Sequence, residues 1–180
     1  MLKYYAQLLF TLCFIATVSI SYAGEDEDQR RRLAGHPQTS VSQLWELSKD
    51  PDWQVREYLA RNRKSPVDLL DVLASDTHPK VRIATATNLE TNEKTFLKLA
   101  KDKNLQVRSV VARFEYVPES ALAILSKDKS AEIRFEVAKN LNTNKQTLEF
   151  LSKDPQPEVA QASLVGLQRL REEDEEMVDK

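Results

Sequence analysis

The sequence predicts an all-α fold, a right-handed α-solenoid of short helix pairs with a 26-residue period. Three observations carry that reading. Leu47, Leu73, Leu99, Leu125 and Leu151 line up at a 26-residue shift without a gap, and Asp50, Asp76, Asp102, Asp128 and Asp154 follow each of them at the same distance. Inside every copy apolar residues recur at helical spacing, and turn-forming residues divide each copy into two such patterns. A period of that length is the mark of a stacked array.

The N-terminus comes first and stands apart from the repeats. Lys3 precedes the apolar run Leu8 to Ile20, and Ser21-Tyr22-Ala23 offers a small-residue cleavage site, so residues 1–23 read as a signal peptide. An uncleaved anchor is the alternative. The only cysteine, Cys13, lies in this segment, so the mature chain expected from Gly24 has no thiol for a disulfide or a cysteine-ligated metal. Residues 24–32 carry no apolar side chain and read as a charged, solvated linker.

Repeats occupy residues 33–170. Leu33 to His36 aligns with the end of a first helix, and Thr39 to Asp50 supplies a second, so the array opens on a partial unit. In each full unit the first helix is expected to start at the Asp, with Asp50 or Asp154 as N-cap and Pro51 or Pro155 in the first turn. Its buried stripe is Val55, Val81, Val107, Ile133 and Val159, with Leu59, Val111 and Val137 four residues on and Ala60, Ala86, Ala112 and Ala138 next. Asn62, Asn88 and Asn140 then suit a helix end that needs left-handed backbone, and Phe114 breaks their column. Ser65-Pro66, Thr91, Val117-Pro118 and Thr143 follow at the next cap position. The second helix buries Leu70, Phe96, Leu122 and Leu148 with Leu73, Leu99, Leu125 and Leu151. Gln161 to Leu170 reads as a terminal capping helix, and residues 171–180 as an acidic tail with six acids and two bases.

Composition bounds the function. Removing Lys3 leaves 25 basic and 28 acidic residues, a formal charge of −3, which is not the balance of a nucleic-acid binder. Catalysis finds little support: His36 and His78 lie in different repeats, no metal-ligand spacing occurs, and three glycines build no phosphate loop. No enzyme activity and no cofactor are expected.

Asp50-Pro51 to Val55-Arg56, Ala60-x-Asn62, Ser65-Pro66 and Leu69-Leu70-x-x-Leu73-Ala74 resemble the leucine-rich repeat variant, a relative of HEAT repeats, over residues 33–170. The resemblance implies an armadillo-like helical array, with Asp and Arg columns bonding between neighbouring units. Some members of that family carry a cysteine-rich iron–sulfur module ahead of the repeats; with Cys13 the one cysteine of this sequence, no such module and no redox role are expected here.

Two charged columns follow the period. Arg56, Arg82, Arg108 and Arg134 stand six residues after Asp50, Asp76, Asp102 and Asp128, and read as a structural ladder; an arginine row binding carboxylates or phosphates is the functional alternative. Lys49, Lys101, Lys127 and Lys153 read as a solvated rim. Partner contact is expected where the pattern is broken, because consensus positions are committed to stacking. Trp53, Tyr58 and Phe135 on first helices are the candidate anchors, with Glu57, Arg61, Arg113 and Lys139 as the polar rim around them. Trp45 and Phe150 read as core.

The sequence thus points to an exported, non-catalytic scaffold that binds another protein or peptide, periplasmic first and secreted second. A self-assembling or envelope-associated spacer is the alternative.

Overall fold

The computed structural model describes residues 27–178. The expected signal peptide with its cleavage site, and Cys13, lie outside the described residues. Eleven helices follow one another among them: α1 (Glu27–Gly35), α2 (Val41–Leu47), α3 (Trp53–Arg61), α4 (Val67–Leu73), α5 (Pro79–Ala86), α6 (Glu93–Leu99), α7 (Leu105–Arg113), α8 (Glu119–Leu125), α9 (Ala131–Lys139), α10 (Lys145–Leu151) and α11 (Pro157–Val178). The odd-numbered helices up to α9 are the first helices of their units, and each packs on the first helix of the next. The chain is an all-α solenoid.

Helices of seven to nine residues do not persist alone in water, so their apolar faces must be shared with neighbours. Val55, Val81, Val107, Ile133 and Val159 are all 1% exposed or less, and the alanines at 60, 86, 112 and 138 are buried where first helices approach one another. The second helices contribute Leu70, Phe96, Leu122 and Leu148, and one turn later Leu73, Leu99, Leu125 and Leu151. At about 1.5–3 kcal/mol for each large side chain taken out of water, this column is the main stabilising term.

Several local expectations are corrected. Residues 24–32 are not wholly a linker: α1 begins at Glu27, because its arginines find acids in the next unit, Arg30 bonding Asp50 at 2.8 Å and Arg31 bonding Asp52 at 2.8 Å. The acidic tail is likewise helical as far as Val178, in continuation of α11.

Asp50 is not an N-cap. The caps are Asp52, His78, Asn104 and Ser130, two residues later, and each Asp of the column instead accepts from the backbone N–H of that cap residue at 2.8–2.9 Å. The Asp closes the turn before the helix; Pro51 and Pro155 lie in that turn.

The asparagines do not adopt left-handed backbone, and no described residue has positive φ. Their side chains do the work. Nδ2 of Asn62 donates to the Ala34 and His36 carbonyls of the preceding unit at 2.8 and 3.1 Å, while its Oδ1 accepts from Lys64 N–H. Asn88 and Asn140 repeat the pattern on Ala60 with Asn62 and on Ala112 with Phe114. At the second helices the caps are Pro66 and Pro118, within the expected pairs, and Asn92 and Asn144, one residue after Thr91 and Thr143; the hydroxyls of Ser65, Thr91 and Thr143 turn back onto the carbonyls of Leu59, Thr85 and Val137. Phe150 is 53% exposed rather than core, since it points outward from α10, whereas Trp45 is half-buried against the core that contains Leu44 and Leu59.

Candidate partner-binding surface

The Arg and Asp columns are joined across units. Arg56 sends Nε and Nη2 to the two carboxylate oxygens of Asp76 at 2.6 and 2.9 Å, and Nη1 to the Asp50 carbonyl of its own unit at 2.6 Å. Arg82 with Asp102, Arg108 with Asp128 and Arg134 with Asp154 repeat the arrangement, all through Nε at 2.6 Å. Each guanidinium therefore ties the start of its own first helix to the start of the next.

The ladder's electrostatics follow from that geometry. Burial acts to raise the carboxyls of Asp76, Asp102 and Asp128, but the arginine and backbone N–H bonds outweigh it and hold all three below 3.8. The Arg134 bond does the same for Asp154. Their acidic partners raise Arg56, Arg82 and Arg134. Arginines so engaged, and 7–13% exposed in their side chains, are not open to a ligand.

The candidate anchors do not meet at one place. Trp53 opens α3, half-buried, and stacks on His78 of the next unit at 4.0 Å and 15° between planes, with Lys80 Nζ 4.9 Å from its ring centre. It is spent on inter-repeat packing. Tyr58, 47% exposed, lies over Gly35, where a Cβ would meet Tyr58 Cδ1 at 3.3 Å. Phe135 is half-buried three units further on, beneath Lys139 Nζ at 5.2 Å. Of the rim, Glu57 and Arg61 form an i,i+4 pair at 2.6 Å with Arg61 largely exposed, and Arg113 and Lys139 are exposed at the C-terminal ends of α7 and α9.

Of the other departures from the repeat, Phe114 turns inward and Tyr116 does not. Phe114 occupies the asparagine column and packs on Phe96 at 5.9 Å and on Tyr116 at 5.8 Å, leaving Tyr116 itself 63% exposed. Val117 takes the hydroxyl position in the same unit, so an apolar pair replaces two hydrogen-bonding side chains at once.

Two features escaped the sequence reading. Arg30 is a fifth rung, and its signal was present, since it stands 26 residues before Arg56. The second is an apolar groove of about 790 Å³ between α9 and α11, lined by Phe135, Leu141, Ala162 and Val165 with Lys139 and Arg169 beside them. Leu141 and Val165 are 71% and 59% exposed. Among the described residues no cluster of His, Cys, Asp and Glu could hold a metal ion, and no helix is long and apolar enough to cross a membrane.

Fold and ladder together define an α-helical repeat array in which short helix pairs are joined by charged rungs. The comparisons specify it further. No family model matches the sequence, and no curated protein does. Among solved structures, the chain is similar to one described as a leucine-rich repeat variant with a novel repetitive protein structural motif, at 28% identity and a TM-score of 0.60. The match covers 77% of this chain and 55% of that one, so the chain spans about half the length of the structure it resembles. It is a leucine-rich-repeat-variant-like helical repeat.

Proposed function

We propose that the chain is an exported, non-catalytic scaffold that binds another protein or peptide on the outer face of its first helices. The observation that carries this reading is the separation of roles along those helices. The Asp, Arg and Asn columns are consumed by bonds between units, while the positions of Tyr58 and Phe135 vary from copy to copy; Tyr58, Arg113 and Lys139 are exposed, and Phe135, half-buried, lines the groove beside α11. The likeness to a repeat-protein structure is compatible with a non-catalytic scaffold. Export rests on the N-terminal sequence alone.

The test is a cross-linked affinity capture with the chain from Gly24 in its own host, run beside Tyr58→Ala and Phe135→Ala. A stoichiometric partner lost from the variants, with the helical signal unchanged, supports the reading. Recovery of the chain alone shifts the assignment to self-assembly.

A further inference from the structure

The groove between α9 and α11 exists because the last helix leaves the repeat. At the position where Ala60, Ala86, Ala112 and Ala138 are buried, α11 has Leu164, 50% exposed. At the asparagine position it has Gly166, whose missing side chain lets the helix lie close against Leu148, and the helix runs on past the point where the others end. The outer walls of α9 and α11 are thereby left apolar and uncovered, around Phe135, Leu141 and Val165.

Charge on the walls is uneven. Among the lining residues, Lys139 and Arg169 stand toward one end, short of the acidic run Glu172 to Glu175 further along α11, and Glu158, at the start of α11, toward the other. Arg113, one unit before Lys139 in the same column, extends the basic line across the array. Cations at the ends of α7 and α9 are favoured by the helix carbonyls there, but Arg169 lies within α11 and has no such reason. It donates from Nη2 to the Leu141 carbonyl at 3.3 Å, which holds it at the groove, and its Nε makes no hydrogen bond and meets Glu173 only at 3.7 Å. That acid is 58% exposed and replaceable.

We infer that this groove docks an acidic peptide segment carrying an aromatic or aliphatic anchor, the anchor lying on Phe135 and Val165 and the carboxylates on Lys139 and Arg169. The inference rests on the scaffold reading and names its partner's chemistry. Apolar burial supplies the affinity, and the basic end sets the direction in which the segment lies.

The probe is a displayed library of random short peptides selected against the full chain, with enriched peptides mapped by backbone NMR shifts. Enrichment of acidic sequences with one large apolar residue is expected, with shifts confined to α9, α11 and the turn at Leu141. Lys139→Glu with Arg169→Glu should weaken those peptides about tenfold or more and admit charge-reversed ones. Val165→Glu, at an exposed site, should abolish binding without changing the thermal midpoint.

Enrichment of neutral or basic sequences, shifts elsewhere, or no enrichment would overturn the inference. So would a concentration-dependent dimer in sedimentation that Val165→Glu dissolves, which gives the groove to a second copy. If the cross-linked partner is still captured by Val165→Glu, the scaffold reading survives and only the groove assignment falls.

Discussion

The guanidinium of Arg82 and the carboxylate of Asp102 meet at two points, Nε to Oδ2 at 2.6 Å and Nη2 to Oδ1 at 2.9 Å, with the two side chains 7% and 8% exposed. Arg82 Nη1 also reaches the Asp76 carbonyl at 2.7 Å. The pair joins two successive turns of the array. At that burial, breaking one partner costs far more than the pair contributes over an apolar substitute, because a charge is left without compensation.

Asp102→Asn should therefore lower stability by about 3 kcal/mol, and Asp50→Asn by about 1 kcal/mol or less, since its partner Arg30 is 29% exposed. Urea unfolding of both variants checks the gradient. Equal losses would show that burial does not set the strength of a rung.

Acid should weaken the array in a defined window. Asp76, Asp102, Asp128 and Asp154 are held below 3.8 in the fold, so their contribution is fully present above the unfolded value and lost as pH falls through the lower folded one. The unfolding midpoint should start to fall below about pH 4, and Asp102→Asn should make that fall shallower. An acid limb as steep in the variant as in the parent would separate the ladder from acid lability.

Much of this was legible in the sequence, for a physical reason. A 26-residue repeat puts each residue type in the same environment several times, so the columns at Val55, Leu73, Asp76 and Arg82 announce burial and pairing by recurrence. Bond direction was not legible. Asn62 suits a left-handed helix end as well as it suits an amide reaching back to Ala34, and only the position of the preceding unit decides between them. The anchors were harder still. Trp53 and Phe135 look alike as departures from consensus, yet Trp53 finds His78 and Phe135 finds a groove, because a residue outside the pattern has no copies to report its surroundings.

Asn88→Ala should cost about 1–3 kcal/mol, because the Ala60 and Asn62 carbonyls lose their donor in a buried site. Phe114 shows the other solution at the same column, apolar packing on Phe96 in place of an amide. Asn88→Phe, lacking a Phe96-like ring in the preceding unit at Leu70, should be worse than Asn88→Ala. Thermal unfolding of the two variants orders them, and a more stable Asn88→Phe would show that the column accepts either chemistry at any unit.

The two described helical glycines should respond oppositely to alanine. In a helix the exchange gains up to about 1 kcal/mol from backbone propensity, and the sign then depends on what the new methyl meets. At Gly35 it meets Tyr58 Cδ1 at 3.3 Å, and Tyr58, half exposed, can swing aside into solvent. At Gly166 it meets Leu148 Cδ2 and Cδ1 at 3.0 and 3.1 Å and the Ala138 carbonyl at 3.4 Å. Leu148 is fully buried and has nowhere to move, so overpacking of about 1–3 kcal/mol exceeds the propensity gain. Gly35→Ala is expected to raise the thermal midpoint slightly and Gly166→Ala to lower it. A stabilised Gly166→Ala would mean that α11 can shift away from α10, and with it one wall of the groove.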